Sequence, residues 1–179
     1  DLAFTYDRRV LIEKGLEHPI EVNCSVLGFD SEVRTSVTEM PTTSGGELLD
    51  FADKYLTGGG SKGMASLKRI MPAPVGDEMI HRIESLSAQI FRALDCKGVV
   101  RIDYMLTKND ELYITEINTI PGSMAFYLWQ ESGVSYPQLI DKLVEYAEKA
   151  FAEKNENNYA YTSDILNGVV LGGKKGGKL

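Results

Sequence analysis

Four side chains that could do chemistry together lie on two neighbouring runs of the sequence. Arg101 and Asp103 are on the first run, and Glu116 and Asn118 are on the second. If residues 109–110 form the centre of a hairpin turn, counting outward places Asp103 opposite Glu116 and Arg101 opposite Asn118. Side chains alternate along a strand, so all four share one face of the hairpin. The sequence therefore predicts a polar patch with two facing carboxylates.

Two facing carboxylates repel each other by roughly 4 kcal/mol at ~4 Å and an intermediate dielectric. A fold retains them with a shared proton, an intervening basic side chain or a hard divalent cation. Carboxylate and amide oxygens are the ligands that Mg²⁺ prefers, and the absence of His or Cys nearby in sequence argues against zinc. Arg101 adds a positive charge suited to phosphate or to a developing oxyanion. The alternative is a solvated surface hairpin in which Arg101 pairs with Asp103 or Glu116.

The elements that must position this patch are strands and helices in a mixed order. Strand-like runs occupy residues 10–13, 20–27, 33–40, 99–106 and 112–118. A helix is predicted over residues 79–94, and Ser135 and Pro137 announce a last helix. The hairpin face opposite the polar patch predicts core, with Val100, Ile102, Tyr104 and Leu106 against Tyr113 and Ile117. The expected fold class is α+β, with a mainly antiparallel sheet flanked by helices.

A glycine-rich segment, residues 54–63, favours a phosphate ligand over a solvated hairpin. It places four glycines in six residues and carries Lys54 and Lys62. Such a segment is typical of a mobile lid over a ligand, and its backbone and lysines supply positive charge for phosphates. Metal together with phosphate is the better interpretation of the polar patch.

These motifs in order resemble one family. The runs R-I-D-Y-M-L and Y-I-T-E-I-N-T-I-P-G, preceded by D-K-Y and the glycine-rich segment, are similar to the C-terminal part of D-alanine–D-alanine ligases, members of the ATP-grasp superfamily. The resemblance covers about residues 8–150. It implies an ATP-grasp C-terminal domain over residues 1–153, a polar, basic and glycine-rich tail over 154–179, and N-terminal and central parts that would precede Asp1.

The resemblance also implies ligands and residue roles. ATP would bind with two Mg²⁺ ions, for which Mn²⁺ could substitute, held by Asp103, Glu116 and Asn118. By the same resemblance, Arg101 stabilises transition-state oxygens and the backbone of Gly122 lies on the acceptor side. In the glycine-rich segment, Tyr55 closes the active site and Lys54 reaches the phosphates. For the nucleoside, Glu13 accepts a hydrogen bond from the adenine amine, Leu16 lies beside the adenine ring and Glu21 binds the ribose hydroxyls.

The implied reaction joins two D-alanines through an acyl phosphate, for peptidoglycan precursor synthesis. The family places a serine five residues after the Pro-Gly glycine to grip the acceptor's carboxylate, but here Tyr127 stands at that position. The Tyr127 hydroxyl or Ser123 could take the serine's place. A related ATP-grasp ligase with another acceptor therefore stays open, although Tyr55 favours a dipeptide because it is usually replaced in the D-lactate-using members.

Composition limits the other classes of function. The net charge is −7, which argues against a nucleic-acid surface, and no apolar run is long enough for a membrane helix. Cys24 and Cys96 are expected to be free thiols, and the chain opens without a signal-peptide pattern, so we expect a cytoplasmic protein and, from the family, a homodimer. A non-catalytic Mg-nucleotide-binding module and a purely structural domain remain as alternatives. Only for a structural domain do we expect neither Mg²⁺ nor ATP to change the melting temperature.

Overall fold

The computed structural model describes residues 2–42, 69–157 and 160. A short 3-10 helix, Leu2–Thr5, is followed by irregular chain up to the first strand. The remaining elements, in chain order, are β1 (Ile20–Phe29), β2 (Glu32–Pro41), β3 (Arg69–Ile70), α1 (Asp77–Ala93), β4 (Gly98–Leu106), β5 (Leu112–Asn118), a 3-10 turn (Gly122–Ala125), α2 (Phe126–Glu131) and α3 (Tyr136–Glu156).

A five-stranded antiparallel sheet forms the centre of the fold. Its spatial order is β3-β2-β1-β4-β5, and each strand runs antiparallel to its neighbours. The predicted α+β class is therefore confirmed. Among the described residues no helix is long and apolar enough to cross a membrane.

Helix α1 covers one face of the sheet. Apolar residues recur at helical spacing along it, and Ile83 and Phe91 are buried. They pack on alternate residues of β1 and β4, which point to this face: Val22, Cys24, Val26, Val100, Ile102 and Tyr104. Burial raises the pKa of Cys24 to about 12, so this free thiol is an inert core residue.

Helices α2 and α3 cover only one end of the other face. Trp129 of α2 and Leu139 of α3 pack on Leu27 and Val99, which are direct partners on β1 and β4. The indole nitrogen of Trp129 donates to Ser25 Oγ at 3.0 Å. Beyond this point the same face of β1 and β4 carries polar side chains. The sheet therefore has a helix-covered apolar end and a polar end.

Most predicted elements are present, with one exception. Residues 10–13 are not a strand: Leu11 and Ile12 are exposed, and no described strand pairs with them. Helix α3 continues to Glu156, and its first turn has the predicted Ser135 cap, which forms a capping box with Gln138. Residues 158–159 and 161–179 of the predicted tail lie outside the described residues, and the division at residue 153 stays a prediction.

Candidate functional site

The hairpin register places the four polar side chains as predicted. Arg101 is opposite Asn118, and Asp103 is opposite Glu116. Closer to the turn the pairing differs, because a β-bulge at Thr115 shifts the register by one residue. Tyr113 therefore pairs with Met105 on the polar face, and the prediction that it belongs to the core is wrong; it is exposed.

The polar patch is one part of a row that crosses four strands. Glu39 on β2 pairs with Asn23 on β1, Asn23 pairs with Asp103 on β4, and Asp103 pairs with Glu116 on β5. Direct partners in an antiparallel sheet share a face, so these side chains lie side by side. Asn23, Glu39 and Asp103 are buried, whereas Glu116 is exposed. The row thus runs from the interior to the surface.

Arg101 and Asp103 form a two-pronged ion pair within β4. Arg101 Nε and Nη2 each donate to one Asp103 oxygen at 2.7 Å, and both side chains are nearly buried. Burial opposes the charge of Arg101, but the hydrogen bonds and charge of Asp103 outweigh it and raise the guanidinium pKa. A shared proton, a basic side chain or a divalent cation could each stabilise two facing carboxylates, and in this structure the basic side chain of Arg101 pairs with one of them, Asp103. Arg101 holds Asp103 in one orientation.

A second ion pair lies at the buried end of the row. Arg69 Nη1 donates to Glu39 Oε2 at 3.0 Å, and the Tyr127 hydroxyl donates to Glu39 Oε1 at 2.8 Å. The guanidinium of Arg69 also lies over the Tyr127 ring, 3.7 Å from its centroid. Burial, together with the Glu39 charge, raises the pKa of Tyr127 to about 12, so its phenol remains a hydrogen-bond donor at neutral pH. We refer to Glu39, Arg69 and Tyr127 as the Glu39 cluster.

A left-handed turn joins the hairpin to this cluster. Gly122 is exposed, and the three residues after it, 123–125, have φ between 50° and 57° although none is glycine. Such backbone costs of order 1 kcal/mol or more per residue and persists where its surroundings fix it. The turn places Tyr127 beneath the sheet's polar face. The Tyr127 hydroxyl is committed to Glu39, and Ser123 Oγ donates to the carbonyl of Gly122.

The residues predicted to bind the nucleotide are only partly brought together. Glu21, at the start of β1, lies on the polar face two residues before Asn23, and its Oε1 is 3.4 Å from Asn23 Nδ2. Glu13 is exposed and Leu16 half-buried, both on the irregular chain before β1. Lys54, Tyr55 and the rest of the glycine-rich segment lie outside the described residues, so their predicted roles remain predictions.

Three side chains of the hairpin carry oxygen atoms that could coordinate a hard divalent cation. Asp103 and Glu116 are direct partners, and Asn118 follows two residues later on the same face. Asn118 Oδ1 also accepts from the Ile120 amide at 3.2 Å, which turns the chain toward Pro121. Within the described ranges, no three His, Cys, Asp or Glu side chains cluster closely enough to hold a metal, so the candidate set is two carboxylates and one amide. All three supply oxygen, as Mg²⁺ requires.

Sequence reasoning missed three residues of the site: Asn23, Glu39 and Arg69. Asn23 interrupts an apolar strand in the same way as Glu116, so the signal was present for it. Glu39 lies in a strand whose alternation suggested an exposed side. Nothing local marks Arg69, whose partners are far away in sequence.

Comparisons with known proteins give one consistent family. The family model described as "D-ala D-ala ligase C-terminus" matches residues 1–145. The D-alanine–D-alanine ligase of Thermosipho africanus is 32% identical over 166 residues, which cover 93% of this chain and 43% of that protein. Among solved structures, the D-alanine–D-alanine ligase from Coxiella burnetii superposes with a TM-score of 0.65 at 23% identity, over 86% of this chain and 38% of that one.

A second solved structure is the VanG D-Ala:D-Ser ligase from Enterococcus faecalis. It superposes with a TM-score of 0.54 at 26% identity, covering 74% of this chain and 37% of that one. In each of these comparisons the chain spans less than half of the other protein's length.

Proposed function

Because this chain belongs to the family of D-ala D-ala ligase C-terminal domains, we propose that it is the ATP- and Mg²⁺-binding part of a D-alanine–D-alanine ligase. The observation that carries the proposal is the polar patch of the hairpin, in which Asp103, Glu116 and Asn118 lie on one face with Arg101. The protein would supply a dipeptide for peptidoglycan synthesis. By the same family argument it would be cytoplasmic and homodimeric.

The mechanism that fits these residues relies on positioning and electrostatics. The carboxylate of one D-alanine attacks the ATP γ-phosphate and displaces ADP, which gives an acyl phosphate. The amine of a second D-alanine then displaces inorganic phosphate and forms the peptide bond. Arg101 would leave one or both oxygens of Asp103 and donate to the oxygens that gain negative charge, since its fork of N–H groups matches both partners. Its buried position means that few water molecules compete for it.

The remaining roles follow from placement on the same face. Asp103, Glu116 and Asn118 would hold the Mg²⁺, which neutralises phosphate charge when bound. Glu21 would accept from the ribose hydroxyls, and Glu13 and Leu16 would contact adenine. Gly122 has no side chain, so its backbone would be open to the acceptor at the end of the hairpin.

ADP release by the intact protein that contains this chain tests the proposal. We expect a coupled assay with Mg-ATP to report ADP release that depends on D-alanine and to yield the dipeptide. Glycine and D-serine as alternative acceptors serve as matched controls. ADP release that does not depend on D-alanine would reject the dipeptide ligase. Binding of Mg-ATP without turnover of any carboxylate would favour the non-catalytic module.

A ligase with a different acceptor is the second candidate, and one observation favours it. The Tyr127 hydroxyl, at the position where the family's serine is expected, donates to Glu39 and is not directed at open space. The VanG ligase of similar fold is named for D-serine, so the fold accommodates acceptors other than D-alanine. Faster turnover with D-serine or with a hydroxy acid than with D-alanine would establish this candidate.

A further inference from the structure

Asn23 and Glu39 occupy the same row as Asp103, yet the proposed reaction uses neither. Both are 2% exposed. A buried carboxylate costs several kcal/mol unless it is paired and hydrogen-bonded. The fold meets that cost at Glu39, which is separated by Asn23 from Asp103, a residue proposed to bind a metal. The contacts of Glu39 and Asn23 therefore indicate the role of the two side chains.

Glu39 is fixed on two sides. Arg69 holds Oε2 at 3.0 Å and Tyr127 holds Oε1 at 2.8 Å. Arg69 is itself stacked on the Tyr127 ring, so the three side chains immobilise one another. The Glu39 carboxylate therefore presents a fixed oxygen to its neighbour Asn23.

The Asn23 amide lies between two carboxylates and faces acceptors at both ends. One end is 3.3 Å from Glu39 Oε1 and 3.4 Å from Glu21 Oε1. The other end is 3.3 Å from Asp103 Oδ1 and 3.2 Å from the carbonyl of Val22. An amide donates only from its nitrogen. Asn23 can therefore donate to Glu39 or to Asp103, but not to both.

We propose that Asn23 is a positioning residue for Asp103 and that the Glu39 carboxylate, fixed by Arg69 and Tyr127, competes with Asp103 for the Asn23 amide; this inference rests on the proposed function. While Arg101 holds both oxygens of Asp103, the carboxylate is already oriented. When Arg101 turns to a phosphoryl group, Asp103 loses those hydrogen bonds. The Asn23 amide would then donate to Oδ1 and keep the Asp103 carboxylate oriented for the metal. Such outer partners typically change metal affinity by ~10–100-fold.

Two substitutions test this with opposite expected results. Asn23→Leu has a similar size but no donor, so we expect the affinity for Mn²⁺ to fall by ~10-fold or more. In Glu39→Gln, the amide oxygen can keep Arg69 while the nitrogen faces Tyr127 and Asn23. Asn23 is then left to donate to Asp103, and we expect Mn²⁺ to bind as in the wild type or more tightly.

The measurement is titration of the intact protein with MnCl₂ in the presence of a non-hydrolysable ATP analogue. Free Mn²⁺ is followed by electron paramagnetic resonance, and circular dichroism and melting temperature are recorded for every variant. Ser87→Ala is the matched control. It removes a buried 2.7 Å hydrogen bond to Tyr104 on the opposite face of the sheet, and it should leave Mn²⁺ affinity unchanged.

A folded Asn23→Leu variant that binds Mn²⁺ within twofold of the wild type would overturn the proposal. So would a Glu39→Gln variant that binds Mn²⁺ tenfold more weakly, even if Asn23→Leu failed to fold. Failure of the proposed function is separate: a wild type that binds Mn²⁺ but does not turn over D-alanine rejects only the reaction. A wild type that binds no Mn²⁺ rejects the metal site and this inference together.

Discussion

Replacement of Tyr127 by Phe removes one hydroxyl from the buried Glu39 cluster and leaves the ring in place. Tyr127 is 7% exposed, and its hydroxyl donates to a Glu39 carboxylate that is 2% exposed. A hydrogen bond to a charged group contributes ~1.5–3 kcal/mol, and loss of its donor leaves a buried acceptor oxygen less satisfied. The ring still packs against Arg69, so no cavity term is added. We expect the free energy of unfolding to fall by ~1.5–3 kcal/mol.

Urea unfolding of the intact wild type and of Tyr127→Phe measures this loss. A double-mutant cycle with Glu39→Gln measures the coupling between the two side chains, because each single substitution removes the hydrogen bond from the Tyr127 hydroxyl to a charged carboxylate. The KM for D-alanine is measured on the same proteins. We expect it to change little, since the hydroxyl is committed to Glu39. A raised KM with unchanged stability and no coupling to Glu39 would refute this reasoning and assign the hydroxyl to the acceptor.

The same hydroxyl predicts a pH dependence. Burial and the Glu39 charge raise the pKa of Tyr127 to about 12 in the folded protein, above the value of ~10 expected when the chain is unfolded. Deprotonation therefore favours the unfolded state, at ~1.4 kcal/mol per pKa unit. The contribution is complete below pH ~10 and is lost as the pH rises to about 12. The stability difference between wild type and Tyr127→Phe should shrink across this window and stay constant from pH 7 to 9.

Further substitutions separate the metal site from the fold. Glu116→Gln should abolish turnover while the free energy of unfolding stays within ~0.5 kcal/mol, because Glu116 is exposed; retained activity would reject its role as a metal ligand. Asp103→Ala should abolish turnover and also cost ~3–5 kcal/mol in urea unfolding, because it leaves the Arg101 charge buried and unpaired; a loss below ~1 kcal/mol would contradict this. Gly28→Ala should lower the melting temperature, because a Cβ there would lie 2.5 Å from the Glu32 carbonyl oxygen; an unchanged value would show that the backbone at Glu32 moves aside freely.

The strand register predicted for the hairpin is correct at Arg101 and Asp103 but wrong by one residue closer to the turn. Counting from a two-residue turn placed Asp103 opposite Glu116, as observed. The actual loop spans five residues, 107–111, and is closed by a hydrogen bond from the Thr107 amide to the Glu111 carbonyl. The bulge at Thr115 compensates for this one-residue shift. Between loop and bulge the faces are exchanged, which is why Tyr113 is exposed.

The buried end of the row could not be predicted, because its contacts are made across the sheet and not along the chain. Glu39 and Tyr127 are 88 residues apart, and Glu39 and Arg69 are 30 apart. The sequence predicted only that this strand has an exposed side, and a carboxylate is rarely buried without a partner, so nothing local indicated that Glu39 is buried. Its partners come from β3 and α2, two elements that the sequence did not predict. Asn23, a polar residue between Val22 and Cys24 in β1, gave a local signal.

Tyr127 and Glu39 are best understood as a matched pair. A serine at position 127 would end several ångströms short of Glu39, because the Tyr127 hydroxyl reaches it across the full length of the ring. The shorter side chain would also remove the surface on which Arg69 stacks. Restoring serine in this chain would therefore open a cavity beside an under-satisfied carboxylate, and should be more damaging than Tyr127→Phe. The residue that departs from the family pattern is thus packed against Glu39, at the buried end of the row that contains Asp103.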